Sequence, residues 1–506
     1  MKDSVFGIET EYGITVVGQE EVDVVAESID LVRAWKEPGT LMKWDYRSED
    51  PHVDARGFRA RELLQDSDEA NYFEIDRNRP LSFQEIKSDL VLWNGARFYN
   101  DHAHPEYSTP ECSTLAEIVA QDKVGEWIVQ ECAHRRNRKL GGGREVRIYK
   151  NNTDFDGHSY GCHENYLMSR GVPWDRLAAG TMPFLVTRQI FAGAGKLGVE
   201  AEGRSGPPGM FQISQRADFF SVLMSIDTMN KRPLVNTRDE PHADAALFRR
   251  FHVIIGDANL SEYATALKIG TTLVVLELIE RGVAPEIELA QPIEATKAIS
   301  RDPTFSWIVE LRDGRKISAV DLQRLYLEQA KAHAAFENPD FEWIIREWER
   351  TLNDLEVDPM RCADRLDWAA KRNLLMTFQQ SEGLDWGDPW LQAIDLEYHN
   401  LDPEKGLYFE LVREGAMRRL VTDKDIYRAA EMPPPTTRAW FRGRSVAKFA
   451  SQIATLQWDA VTFKTTSTPT GYGRVPMPEG MGPAVDELNR QIDRAIKLED
   501  LEGLFR

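Results

Sequence analysis

Residues 94–112 read NGARFYNDHAHPEYSTPEC, with Arg97, Tyr99 and Asp101 at alternate positions and His102, His104, Pro105 and Glu106 directly after. Side chains on a strand point to opposite faces with a period of two. A strand over Ala96–Asn100 would therefore carry a guanidinium and a phenol on one face and place Asp101 at its exit. Pro105 forbids a regular continuation. Arginine is the natural fork for phosphate oxygens. A carboxylate at a strand end can serve as nucleophile or general base when nearby cations keep it ionised.

The same alternation runs through residues 4–16, SVFGIETEYGITV. Glu9 and Glu11 share a face with Gly7 and Gly13, while Ile8, Tyr12 and Ile14 point the other way. An isolated Glu-x-Glu is more often a solvent-facing edge. Here the hydrophobic, glycine-bounded flanks mark a central strand, and carboxylates held there need paired charge or metal. Oxygen donors of this kind suit Mg2+, above all when a nucleotide adds further oxygens. Two more polar clusters, HSYGCHENY at 158–166 and NTRDEPHAD at 236–244, lie in or just after candidate strands. Convergence on one sheet face would offer Glu9, Glu106, His163 and His242 to metal ions. AGAGKLG at 192–198 lacks the GxxxxGK[ST] spacing of a phosphate-binding loop, so any nucleotide would sit in a different kind of fold.

These positions need a scaffold. Further strands are expected at 145–150, 211–214, 233–237 and 251–255, and helices at 115–138, 261–281, 320–352 and 361–379. The elements do not alternate strictly, which predicts an α+β fold. Residues 37–84 are charged and poor in aliphatic side chains and read as a long, mobile surface loop. MPPPTTR at 432–438 is a connector. Beyond it a helix (439–453), a strand (455–464) and a last helix (482–496) predict a small C-terminal domain, 431–506, after a catalytic domain spanning 1–430.

Composition narrows the function. The 506 residues carry 62 Lys and Arg against 82 Asp and Glu, a net charge of -20 that argues against a nucleic-acid partner. Four cysteines without CxxC spacing imply reduced thiols. No apolar run has the length of a leader or a membrane span, so a cytoplasmic protein is expected.

Taken together, GIETEYG, NGARFYNDHAHPEYSTPEC, NNTDFDGHSYGCHENY and NTRDEPHADA resemble the Pup ligase and depupylase family. The resemblance implies a glutamine-synthetase-like fold: a large domain whose curved, mainly antiparallel sheet, backed by helices, cradles ATP and Mg2+, plus a small C-terminal domain. One branch of that family ligates the protein modifier Pup to lysines. The other hydrolyses that isopeptide bond and deamidates the C-terminal glutamine of Pup. The long 37–84 segment and the short DHAHPEY link point to the hydrolytic branch, with the ligase reaction as the alternative. By this resemblance Asp101 matches the catalytic aspartate, as nucleophile or base. Glu9, Tyr99 and Glu106 match magnesium ligands, and Arg97, Thr109 and Trp458 match nucleotide contacts. Residue type adds Glu11, His163 and His242 to the metal set and Arg238 to the cofactor set. ATP is expected to be required without being spent in each turnover. The implied partners are Pup and pupylated proteins. Acidic Pup would need a local basic groove, for which RRNRK at 135–139, Arg216 and Arg232 are the candidates.

Overall fold

The computed structural model describes residues 4–19, 22–36, 43–64, 79–201, 204–205, 209–333 and 339–506. Its centre is a sheet of six strands: β1 (Phe6–Glu11), β2 (Leu90–Val91), β3 (Arg97–Asp101), β4 (His104–Ser108), β5 (Cys162–Ser169) and β6 (Phe248–Val253). Their spatial order is β6-β5-β1-β4-β3-β2, and every neighbouring pair is antiparallel. β1 is thus interior, as its apolar flanks predict.

Alternation divides the sheet into two unlike faces. Phe6, Ile8, Cys162, Tyr166, Met168, Phe251 and Val253 point to one side and merge with the helices α1 (Leu115–Asn137) and α2 (Glu262–Arg281) into the main hydrophobic core. α1 starts at a Thr114–Glu117 capping box. α2 is capped by Ser261 and ends at Gly282, which takes the left-handed conformation a helix C-terminus favours. Nearly every α2 residue is buried, as befits a helix enclosed on all sides. The core also contains charge, in closed sets. Glu164 accepts from both Arg188 nitrogens (2.5 and 2.8 Å) and from Tyr166 Oη (2.6 Å). Lys150 meets Asp122 and Glu126 at 2.7 and 2.8 Å.

Some expected elements are divided. The strand expected over 4–16 breaks at Tyr12: Gly13–Val17 leaves the large sheet and pairs with Glu145–Tyr149. Gly13 passes so close to Tyr160 and Asn151 that a Cβ would lie 2.5 Å from the Tyr160 hydroxyl. The helix expected over 320–352 is two, Ala319–Ala332 and Phe341–Val357, because Pro339 cannot continue a helix. The strand expected at 455–464 is a hairpin, Ile453–Leu456 and Ala460–Lys464, with Trp458 in its turn.

Residues 439–505 surround their own core of Phe441, Val446, Phe449, Leu456, Phe463, Leu488 and Ile492, which also takes in Trp44. Of the segment expected as a mobile loop, 37–42 and 65–78 lie outside the described residues. Residues 43–64 are docked. Leu456 N donates to Lys43 O and Asp45 N to Leu456 O, while Ala55 N donates to Thr237 O. Among the described residues, no helix is long and apolar enough to cross a membrane.

Glu111, three residues beyond β4, fastens the C-terminal elements to the sheet. It accepts from Arg438 Nε at 2.8 Å and from both terminal nitrogens of fully buried Arg442. Burial alone would raise its pKa, but the two guanidinium groups pull it down to about 2. A carboxylate with a depressed folded-state pKa contributes stability that is full above its unfolded value and is lost as pH falls toward the folded one. Glu111→Gln is therefore expected to cost about 3–5 kcal/mol at pH 7, the usual effect of breaking a buried pair. The deficit should shrink between about pH 5 and pH 2. Urea unfolding of both proteins across that range checks it.

Candidate functional site

Strand register assembles the site on the face away from the helices. Tyr99, Glu106 and Glu11 form one row across β3, β4 and β1. Arg97, Ser108, Glu9 and His163 form the next across β3, β4, β1 and β5. Gly7, Asn165 and His252 form a third across β1, β5 and β6. Asp101 pairs with His104 where β3 ends. Two groups of potential ligand atoms result, each lying within 4.8 Å of one another: Glu11, Asp101 and Glu106, and Glu9, His163 and His252.

The carboxylates differ in their electrostatics. Asp101 is ion-paired with Lys87 and lies 3.3 Å from His102 Nδ1. Burial opposes its ionisation, yet Lys87 and then His102 hold it well below the usual carboxylate range. Burial works against Glu9 too, but His163 and Arg250 lower it. Glu106 goes the other way: burial and the charges of Asp101, Glu9 and Glu11 push it well above the ordinary value. Its Oε1 accepts from Tyr99 Oη at 2.7 Å, and burial keeps that phenol protonated. Among the described residues, no Lys or Arg forms an ion pair with Glu11 or Glu106. Two clustered carboxylates without a cation partner are a donor set that a divalent ion would neutralise.

Beside these rows lies a cleft of about 710 Å³, lined by Gly7, Glu9, Thr109, His242, Arg250, Thr437, Arg438 and Trp458. The hairpin turn carries Trp458 to its wall, where the indole packs edge-on against Trp44, with ring centroids 5.1 Å apart. Arg438 is nine-tenths buried, and its Nη1 has no hydrogen-bond partner. Thr109 Oγ1 accepts from Ile8 N at 3.0 Å. A second cavity, about 1,370 Å³, opens beyond the end of β3 among His102, His104, Asn151, Asp154, His158, Tyr160 and Arg232.

The expected residues are distributed unequally. Glu9, Glu11, Tyr99, Asp101, Glu106 and His163 all meet on the sheet face. His242 belongs to neither ligand group. It follows Pro241 in a left-handed turn and lies on the cleft wall, where burial and then Arg250, Arg438 and Arg97 depress its pKa. Three guanidinium groups are a poor setting for a cation. His252 holds the place that sequence reasoning gave to His242. Arg97 gives Nε to Asp89 (2.8 Å) and Nη2 to Tyr46 (2.5 Å), and lies 3.9 Å over the Tyr99 ring. Arg238 is half-buried, with an unpartnered Nε. The basic run 135–139 is occupied by acids: Arg135 pairs with Glu131, and Arg136 with Glu27 and Asp30. Arg216 and Arg232 lie beneath the second cavity, both donating to Ser159.

Sequence reasoning missed His252, Arg250, Lys87 and Arg438. The alternation of FRRFHV would have put Arg250 and His252 on one face, and the capping signal Ser82-x-x-Glu85 marks the short helix that delivers Lys87.

An antiparallel sheet with helices on one face and a carboxylate-lined, guanidinium-flanked cleft on the other makes an α+β fold with its site on the open side of the sheet. Residues 4–462 match the family model described as Pup-ligase protein, and the chain belongs to that family. It is 45% identical over 471 residues to a depupylase of Acidothermus cellulolyticus, covering 91% of this chain and 90% of the relative. It is 44% identical over 467 residues to a Pup deamidase/depupylase of Mycolicibacterium smegmatis, covering 91% of each. A Pup–protein ligase of Actinosynnema mirum is 42% identical over 73% of this chain and 83% of its own length. Among solved structures, the Pup ligase PafA in complex with Pup aligns over 100% of this chain and 96% of its own, with a TM-score of 0.78 and 31% identity. PafA in complex with ADP covers 86% of this chain and 97% of its own, with a TM-score of 0.71 and 33% identity.

Because Lys87 depresses the Asp101 pKa, Lys87→Met should make that carboxyl titrate at higher pH than in the parent protein. The carboxylate carbon resonance of aspartate-labelled protein, followed through an acid titration, reports the direction.

Proposed function

We propose that this chain is an amide hydrolase acting on Pup. It cleaves the isopeptide bond between the C-terminal glutamate side chain of Pup and a substrate lysine, and it deamidates the C-terminal glutamine of Pup. The carrying observation is Asp101, a carboxylate held ionised by Lys87 and His102 at the end of a strand whose next residues wall a large cavity. The extent of the match to proteins named depupylase, nine-tenths of both chains, supports the hydrolytic branch over ligation.

Lys87 and then His102 favour the ionised form of Asp101 against its burial, and the ionised carboxylate is the form that acts as a nucleophile. In this reading Asp101 attacks the side-chain amide carbon. The C–N bond breaks as the amine or ammonia takes a proton, and water hydrolyses the resulting anhydride, restoring Asp101 and freeing the glutamate. His102, beside Asp101 and facing the second cavity, is the nearest imidazole to carry the amine's proton.

The residues present fit a nucleotide and a magnesium ion. The cleft offers the Trp458 ring, the Thr109 hydroxyl and the Arg438 guanidinium to ATP, with Arg238 adding positive charge on the same face. Glu11 and Glu106, with Tyr99 bonded to the latter, would hold Mg2+. When bound, the ion would polarise the amide carbonyl while the nucleotide's phosphate oxygens help to hold the ion, a role that would need ATP without spending it.

Incubation with glutamine-ended Pup, ATP and Mg2+ tests the proposal. The expected result is ammonia release without stoichiometric ADP, slowed at least about a thousandfold in Asp101→Asn. Stoichiometric ADP with a covalent Pup conjugate would instead identify a ligase.

A further inference from the structure

Strand register places two openings on opposite sides of Asp101. From Asp101, the rows of Tyr99 and then Arg97 lead back toward the cleft lined by Gly7, Glu9 and Thr109. Arg97 is four residues from Asp101, roughly 13 Å of strand. The second cavity, about 1,370 Å³, begins on the other side, one residue past Asp101. With the nucleotide in the cleft, this cavity adjoins the reacting carbon from the opposite direction. Cleavage of an isopeptide needs room for a lysine side chain fixed to a folded protein. Deamidation releases only ammonia and needs almost none.

The cavity has the chemistry of such a guest. Its wall nearest Asp101 includes His104, whose ring stacks on Tyr160 with centroids 4.4 Å apart. Half-buried Ile14, Phe155 and Leu396 supply apolar surface, which suits the four-carbon stem of lysine. Its rim carries the exposed carboxylates of Asp154 and Asp156. Asp154 meets the His158 imidazole at 2.6 Å, and among the described residues no Lys or Arg forms an ion pair with either carboxylate. The guanidinium in the wall, that of buried Arg232, donates to Ser159 O at 2.7 Å. The loop that bears the two acids is pinned from beneath. Thr153 Oγ1 lies 2.7 and 2.8 Å from the two carboxylate oxygens of buried Glu200, and Gly157 N donates to the same group at 3.2 Å. Lys196 neutralises Glu200 at 2.7 Å. Asp154 Oδ1 accepts from Asp156 N and His158 N at 2.8 and 3.0 Å. The rim is therefore shaped before a guest arrives, which lowers the cost of binding one.

We propose that this cavity receives the target side of the isopeptide: the lysine stem lies along Ile14, Phe155 and Leu396, while Asp154 and Asp156 select lysines flanked by cationic residues. The proposal rests on the hydrolase reading for its reaction. The charge preference of the rim is a binding property that exists without it.

Two conjugates test it, Pup joined to the lysine of a short peptide with arginine on both sides, and the same conjugate with glutamate in those places. Glutamine-ended Pup is the third substrate. The unaltered full chain should cleave the arginine-flanked conjugate with a kcat/KM about five- to tenfold higher, the effect of two exposed ion pairs. Added salt should shrink that ratio. Asp154→Asn combined with Asp156→Asn should erase the preference and leave deamidation of glutamine-ended Pup unchanged, because that reaction brings no lysine into the cavity. Asp156→Glu should retain the preference. A damaged loop would slow all three reactions alike, and that outcome overturns the proposal, as does equal cleavage of the two conjugates by the unaltered protein. Anisotropy of the two fluorescently labelled peptides, without Pup, gives the binding preference directly. If the unaltered protein hydrolyses nothing but binds the arginine-flanked peptide more tightly, the hydrolase reading falls and the cavity assignment stands. Equal binding of the two peptides overturns the assignment whatever the enzyme does.

Discussion

Everything at the site depends on the register of β1 between β4 and β5. Because side chains alternate, a slip of one residue would turn Glu9 and Glu11 into the helices and Phe6 and Ile8 out to the cleft. Both errors are costly: two carboxylates would enter a core with no partners, and two large apolar side chains would leave it. β1 has a neighbour on each side, and both pairings agree with the apolar face. The hydrophobic side of the strand therefore sets the position of its acidic side, and the packing of α1 and α2 fixes chemistry that neither helix touches.

Charge is distributed differently on the two faces. Away from the open face, ionised groups occur in closed sets: Glu164 with Arg188 and Lys150 with Asp122 and Glu126. On the open face Asp101 and Glu9 have a Lys or Arg partner, but among the described residues Glu11 and Glu106 have neither, Glu11 meeting only the His104 imidazole at 4.0 Å. A fold that satisfies its buried charges elsewhere does not leave two carboxylates unpaired by oversight. Perturbed groups concentrated on one concave face mark a functional site.

Alternation made much of this legible. Arg97-x-Tyr99-x-Asp101 and Glu9-x-Glu11 require only a period of two, and the sheet confirms which side chains share a face. Relations between distant segments were not legible. Whether His242 or His252 joins Glu9 depends on where a turn directs the chain after Asn236, which no local pattern encodes. The hairpin that presents Trp458 hides inside what reads as one strand. The docking of residues 43–64 rests on buried Trp44 and Asp54, two residues in a segment whose overall composition suggests solvent. Composition averages over a segment, whereas docking needs only a few well-placed side chains.

Arg97 shows how geometry narrows a role that residue type leaves broad. As a free guanidinium it could fork onto phosphate with any pair of nitrogens. Here Nε and Nη2 are committed to Asp89 and Tyr46, and the plane is enclosed by the rings of Tyr99 and Trp44 at 3.9 and 4.4 Å. Nη1 has only Glu49, at 4.0 Å. Any contact from Arg97 to a nucleotide that leaves these bonds intact must come through Nη1 alone, as a single donor. The enclosing rings are the larger part of its role: a charge between aromatic faces, neutralised by Asp89, stiffens β3 on the side facing the C-terminal elements. The contacts of Arg97 thus tie it first to Asp89, Tyr46, Tyr99 and Trp44 and leave Nη1 as the one nitrogen that a ligand could use.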